Sequence, residues 1–366
     1  MAPSPDPGAV GLILPTLPQD SVPAWADPGA PDPVGGLVDV CRGAEALGAT
    51  TLWVCDHLYW HGPCLECTVA LTVAATATTT ATLGSCVIQL PLRRPAAVAK
   101  QFASLQAVSR GRMILGVGVG SHEGEYVQVG ADYHHRGHDL DEAIDDLHRA
   151  WASGQGADRG DTTSSDPAAR YRQLPAAAPP PVWIGGSSEA ALRRAAARGD
   201  GWMPLFLSAD EYRAAVERLA KEVDACGRAP GAVTPAMVLF VAVDDDHDAG
   251  RAKGTAWMSS LYGLPPKAFD RHLVTGSAAE VASRVAAYRA AGADHIAVYV
   301  TDDAGHPLFV GRIESHDLAQ DGRAQVELSV PADALQPNTT AYVRLVPDTA
   351  SGAIETDFND VAFVGT

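Results

Sequence analysis

The sequence predicts a (β/α)8 TIM barrel, a closed parallel sheet ringed by helices, with a short β-rich C-terminal extension. Eight short apolar runs alternate with helical patterns along about 300 residues, and consecutive βα units specify a parallel sheet. The count of eight and that span fit a closed barrel better than an open doubly wound sheet. An open sheet usually declares itself by a G-x-G-x-x-G turn after its first strand, and Leu12–Gln19 carries nothing like it.

Val10–Leu14 is the first strand, followed by a Pro-rich loop to Pro33 and a helical stretch to Leu47 that Gly48 ends. Thr51–Cys55 is the second strand and Ala81–Ile88 the third. Pro95–Val108 reads as a helix with proline in its first turn. Met113–Val119 is the fourth strand, and Leu140–Trp151 a helix with Ile144, Leu147 and Trp151 on one face. Gly, Asp, Thr, Ser, Ala and Pro then dominate Gly154–Pro181, the composition of a surface loop. The alternation resumes with strand Val182–Gly185, helix Glu189–Arg198, strand Gly201–Pro204, helix Asp210–Cys226 and strand Pro235–Val243. A second long connection, Asp244–Thr275, is expected to hold helical pieces before helix Ala278–Ala291 and the last strand, His295–Val300.

The grammar then changes, so the chain divides into a barrel over 1–302 and a small β-rich module or interaction element over 303–366. Leu308–Ile313, Ala324–Val330, Ala341–Val346 and Phe358–Val364 read as short strands where the eighth barrel helix should stand. Ala324, Val326, Leu328 and Val330 alternate with polar neighbours, the pattern of a half-solvated antiparallel strand.

The chain carries 27 basic against 44 acidic residues, a formal net charge of −17. Such a field repels phosphate backbones and anionic lipid, which excludes nucleic acid and membrane surfaces as partners. It leaves room for one small anion, because a local pocket overrules a global field. No run of about 18 apolar residues occurs, so nothing is expected to span a membrane. The N-terminal MAPSPDPGAV lacks a basic stretch followed by an apolar one, so a cytoplasmic location is expected. Cys41, Cys55, Cys86 and Cys226 read as reduced, buried small hydrophobes. Cys64 and Cys67 form one C-x-x-C near His57 and His61, but a zinc site needs two more ligands at matching spacing. No metal is expected.

In such a barrel, chemistry belongs at the C-terminal ends of the strands. The second strand ends in LWVCDHLYW, placing Asp56 and His57 at the mouth with Trp60 behind them. Adjacent Asp and His there suit a positioned proton carrier, or more plainly a cap at the start of a loop. The third strand, LGSCVIQLPLRRP, suits a bulge that brings backbone against a flat ligand, with Gln89 pointing into the mouth; an ordinary strand-to-helix loop reads equally well. Gly116, Gly118 and Gly120 strip side chains from one face of the fourth strand, so that something planar could lie against it. Gly185, Gly186, Ser187 and Ser188 open a helix, where bare N–H groups make a ready anion site and either serine can cap.

Taken together, LWVCDHL, PLRRPAAVAKQFASLQAVSRGRMILGVGVGSHEGEYVQVG, RGHDLDEAIDDLHRAW, WIGGSSEAALRRAAARGDGWMP and TGSAAEVASRVAAYRAAGADHI resemble, in order and spacing, the bacterial luciferase-like monooxygenase superfamily across residues 9–301. The resemblance implies a TIM barrel that binds a flavin or deazaflavin at its mouth, commonly as a homodimer. The Asp-His ending of the second strand looks like the branch that uses coenzyme F420, since FMN-dependent members often carry Glu-His there. By that resemblance Asp56 and His57 lie beside the deazaflavin ring and Trp60 near the substrate. Cys86 and Val87 match a bulge that tends to hold a non-prolyl cis peptide. Gly120, Ser121 and Gly124 match the loop beside the ring's polar edge, and Gly185, Gly186 and Ser187 the phosphate site. Ser121 stands where F420-dependent sugar-phosphate dehydrogenases carry a glutamate acid, so a sugar phosphate is a poor expectation. Glu125 aligns with a glutamate common to the wider family and is expected to be structural.

The resemblance implies an F420-dependent oxidoreductase moving a hydride to or from a small organic substrate, and the net charge implies no nucleic-acid or membrane partner. Trp60, Trp202, Met203, Leu205, Phe206, Trp257 and Met258 suggest that the substrate is fairly hydrophobic. An FMN-dependent monooxygenase is the nearest alternative. A catalytically weak cofactor-binding protein that uses the β tail for interaction is another.

Overall fold

Apolar residues on both faces of a short strand call for cover on both sides, and a closed barrel inside a ring of helices supplies it. The computed structural model describes residues 10–17, 32–154 and 178–301, with Asp27, Gly29, Thr163, Ser165, Pro175, Val326–Glu327 and Arg344–Leu345. Its barrel strands are β1 (Val10–Ile13), β2 (Thr51–Val54), β3 (Thr82–Ser85), β4 (Met113–Gly118), β5 (Val182–Gly185), β6 (Gly201–Met203), β7 (Thr234–Val243) and β8 (His295–Thr301). Each pairs in parallel with the next, and β8 pairs with both β7 and β1, which closes the ring.

Alternation along the strands sorts the core into layers. Leu12, Leu52, Val54, Leu115, Ile184 and Leu239 face the helices. Ile13, Trp53, Ile114, Trp183, Met203 and Ala297 fill the barrel. The two interior tryptophans fit because small residues oppose them: a Cβ on Gly84 would come within 2.2 Å of the Trp53 ring. Trp53 donates its indole N–H to His295 Nε2 at 3.1 Å. Burial pushes the His295 pKa down to about 3, so this ring stays neutral in the floor of the barrel.

The helices at Pro95–Val108, Glu189–Arg198, Ala209–Ala225 and Ala278–Ala290 fall where the pattern places them. Ser208 with Glu211, and Ser277 with Glu280, form reciprocal capping boxes that fix two of their starts. The expected helix over 140–151 is longer, Arg136–Gly154. Two elements depart from expectation. Cys67–Ala77 is a helix, its start capped by Glu66. The connection 244–275 holds the helix His247–Tyr262, as expected, and also a strand, Leu273–Gly276. That strand pairs with Phe240–Val243, the outer half of β7 beyond the end of β6. Cys226 is exposed at a helix end and Cys86 is half-buried, so neither is the core residue expected, whereas Cys41 and Cys55 are buried as expected.

Val326–Glu327 and Arg344–Leu345 pair antiparallel, inside two of the four tail strands read from the sequence. The other two lie outside the described residues. Among the described residues no helix is long and apolar enough to cross a membrane.

Candidate functional site

The C-terminal ends of the strands surround a cavity of about 260 Å³. Asp56, His57 and Trp60 reach it from β2, Cys86, Val87 and Gln89 from the segment after β3, and Gly118, Gly120 and Ser121 from β4. Gly185 and Gly186 reach it from β5. Two expected residues lie off its wall. Gly124 is exposed in the short helix Glu123–Val129, and Ser187 is exposed with its hydroxyl bonded to the backbone of Leu205.

Glu125 organises the mouth. It is 2% exposed, although it belongs to a short surface helix. Its Oε1 accepts from the backbone N–H of Leu58 at 2.9 Å and of Tyr59 at 3.1 Å. Its Oε2 accepts from Gln89 Nε2 at 2.9 Å and meets His57 Nδ1 at 3.0 Å. Burial raises this carboxyl, but hydrogen bonds from His57, Gln89 and Tyr59 outweigh it and hold the pKa below the ordinary value of 4.5. An ionised carboxylate only accepts, so the hydrogen of His57 is assigned to Nδ1 and Nε2 keeps its lone pair. The imidazole also lies against the Trp60 ring, centroids 3.9 Å apart, and edge-on to His122 at 5.7 Å.

Asp56 serves a different purpose from its neighbour. Its buried carboxylate is held by Arg93, through Nη2 and through Nε at 3.3 Å, and accepts from the Gln89 N–H at 3.0 Å. Arg93 also bonds Glu66 at 3.1 Å, the residue that caps the Cys67–Ala77 helix. Burial raises the Asp56 carboxyl above its ordinary range even with Arg93 beside it, while on Arg93 the pull of Asp56 and Glu66 outweighs burial; the close guanidinium contact keeps the pair ionised. These links tie the end of β2 to the strand segment Ile88–Gln89 and to the following helix, which sets the direction of His57.

The expected bulge is present, with a cis peptide between Cys86 and Val87. It splits the third strand into Thr82–Ser85 and Ile88–Gln89, the second piece pairing with β4 at Val117 and Gly118. The alternating glycines make room for this bulge. A Cβ on Gly116 would fall 2.0 Å from the Ser85 carbonyl oxygen, and one on Gly118 2.7 Å from the Val87 side chain. The stripped face of β4 is therefore covered by Val87 and the Ser85 carbonyl, so a ligand at the mouth meets Val87 over Gly118. Gly116→Ala is expected to cost about 3 kcal/mol or more, because the obstructing atom is backbone and cannot turn aside. Denaturant unfolding of the variant checks this.

Gln89 also supplies an acceptor. Both of its amide hydrogens are used, on Asp56 O at 3.1 Å and on Glu125. Its buried Oε1 has no hydrogen-bond partner among the described residues. A Cβ on Gly120, where φ is +72°, would come within 2.0 Å of that oxygen. A buried acceptor on a cavity wall fits a ring N–H. At β5, Gly186 has φ +114° and the next helix starts at Glu189, capped by Ser188. These residues fit the phosphate end of a flavin or deazaflavin. The Gly186 N–H makes only a long bond, 3.4 Å to Met203 O.

The opposite wall is apolar: Leu17, Leu205, Val238, Phe240, Leu261 and Tyr262. Tyr299 stacks on Phe240 with centroids 4.7 Å apart and hydrogen-bonds Cys55 through its hydroxyl. Burial pushes the Cys55 thiol up to about 12, so it is no nucleophile at neutral pH. Most of this wall has no signal in the sequence. Of the residues offered there as a hydrophobic substrate surface, Trp60 and Leu205 line the cavity, while Trp202 packs against Tyr212 outside the barrel and Met203 inside it. Phe206, Trp257 and Met258 form the apolar cluster behind the wall.

The luciferase-like monooxygenase family model matches residues 19–295. The F420-dependent hydroxymycolic acid dehydrogenase of Mycobacterium tuberculosis is 30% identical over 224 residues, covering 59% of this chain and 61% of that protein. The phthiodiolone/phenolphthiodiolone dimycocerosates ketoreductase of Mycobacterium kansasii is 29% identical over 201 residues, 52% of this chain and 53% of that protein. The match thus spans little more than half of each curated relative. Among solved structures, an F420-dependent secondary alcohol dehydrogenase in complex with an F420-acetone adduct superposes with a TM-score of 0.63 at 19% identity, over 80% of this chain and 93% of that one. The monooxygenase RslO1 from Streptomyces bottropensis superposes with a TM-score of 0.62 at 19% identity, over 80% and 92%. The closed barrel, the bulge at its mouth and the family match over 19–295 agree: this chain belongs to the luciferase-like monooxygenases.

Proposed function

We propose that the chain is an F420-dependent oxidoreductase that moves a hydride to or from a carbon of a small, fairly hydrophobic substrate, a ketone or secondary alcohol. The observation that carries this reading is the 3.0 Å contact of His57 Nδ1 with buried Glu125, which assigns the ring hydrogen to Nδ1. Bound at this mouth, the deazaflavin would supply a carbon that donates or accepts hydride. Everything else falls to the protein. His57 Nε2 takes the proton from an alcohol, or as imidazolium returns it to the developing alkoxide of a ketone. Gln89 Oε1 accepts from a ring N–H, and backbone donors at Gly185–Ser187 hold phosphate. Phe240, Leu261, Tyr262 and Tyr299 exclude water and shape the space for an apolar substrate. The names of the F420-dependent dehydrogenase and of the ketoreductase support this choice.

The monooxygenases among the structural neighbours support a second reading, with FMN in the same place. Titration of the purified chain with F420 and with FMN, followed by fluorescence, separates the two. Micromolar binding of F420 with much weaker FMN binding is expected. Micromolar FMN binding with no response to F420 overturns the proposal.

A further inference from the structure

The sequence sets His57 near Cys64 and Cys67 only by position along the chain. The fold places it in a different group. One ligating atom each from His57, His122 and Glu125 lies within 4.8 Å of the other two. Two imidazoles and a carboxylate with an open fourth position make the donor set of an open zinc site. Ligand atoms about a tetrahedral zinc are roughly 3.3 Å apart, and His57 Nδ1 and Glu125 Oε2 are already at 3.0 Å. His122 can close the remaining distance by turning its side chain, since among the described residues its Nδ1 is held only by the exposed Ser121 hydroxyl at 3.1 Å. Both oxygens of Glu125 are oriented by other donors, from Gln89 and from the Leu58 and Tyr59 N–H groups. A carboxylate fixed in this way meets an ion with its direction already set. Cys67 is fully buried in its helix, so the C-x-x-C offers no equivalent pair.

We propose that His57, His122 and Glu125 form a binding site for a divalent ion of the zinc class, and that an ion bound at His57 Nδ1 switches the tautomer of that imidazole. The ion takes the lone pair of Nδ1. The hydrogen carried there leaves to solvent and another arrives on Nε2, so the ring stays neutral and no net proton is released. Nε2 then becomes an N–H donor and can no longer accept. This last consequence rests on the function proposed above, whereas binding itself does not.

Zn²⁺ titrated into the purified chain against a chromophoric chelator is expected to bind at one equivalent with micromolar affinity. Co²⁺ in its place is expected to give visible d–d bands. His122→Ala should weaken Zn²⁺ binding about tenfold or more, and Cys64→Ser should leave it unchanged. Lack of binding at millimolar Zn²⁺, affinity indifferent to His122→Ala, or binding lost in Cys64→Ser would each overturn the site. With substrate and cofactor present, turnover should fall in step with occupancy. Full occupancy with unchanged turnover overturns the tautomer switch and the role given to His57 while leaving the site in place.

Discussion

Replacing His57 with alanine is expected to lower kcat by roughly 10²–10⁴-fold, with little change in cofactor affinity. The two ring nitrogens are not equivalent. Nδ1 is committed to Glu125 at 3.0 Å, so only Nε2 can exchange a proton with a substrate. Carboxylates nearby do not replace it. Asp56 is enclosed by Arg93 and the Gln89 N–H, and Glu125 is already taken up by four hydrogen-bond contacts. His122 is the one other imidazole lining the cavity, and burial together with the neighbouring His57 lowers its pKa. Removing His57 also removes the stacking partner of Trp60, so a structural loss must be told apart from a chemical one. The split between kcat and KM does this: the variant should lose kcat while KM and cofactor affinity stay near those of the wild type, whereas a merely loosened site would raise KM and weaken the cofactor. Unchanged kcat would move the proton transfer to another group.

How far the site was legible follows from what a sequence can say about space. The eight strands read clearly because apolar residues occupy both of their faces. The helix Cys67–Ala77 did not, because CTVALTVAATA contains no charged stripe and its β-branched residues suit a strand as well. Leu273–Gly276 is only four residues long, and it is a strand because β7 outlasts β6 and leaves an edge to be covered. Gly116 and Gly118 announced missing side chains, but not that Val87 and the Ser85 carbonyl fill the space. Tyr299 belongs to a strand whose alternation sends Val298 and Val300 toward the helices, so its inward direction was readable in principle. Its pairing with Cys55, 244 residues away, was not.

Glu125 was read as structural, and its geometry makes that role the source of the second large effect. Glu125→Ala is expected to destabilise the fold by about 3–5 kcal/mol, because it leaves the buried Gln89 amide and three donors at the rim of the mouth without an acceptor. The Leu58 and Tyr59 N–H groups, the Gln89 amide and the His57 Nδ1–H all lose the same partner. Glu125→Gln keeps the shape, yet its amide must either turn hydrogens toward Gln89 and His57 or withdraw an acceptor from the backbone pair, so it recovers only part of the loss. Acid separates the charge from the shape. The folded carboxyl titrates below its ordinary value of 4.5, so the folded state binds fewer protons than the unfolded state as pH falls through that range. The stability this group contributes is therefore complete above pH 4.5 and disappears as pH falls through the folded value. Wild type and Glu125→Gln should differ most near neutrality and converge in acid, as read by urea unfolding along a pH series. A difference that stays constant with pH would mean that the carboxylate acts by shape alone, and His57 would then owe its tautomer to something else.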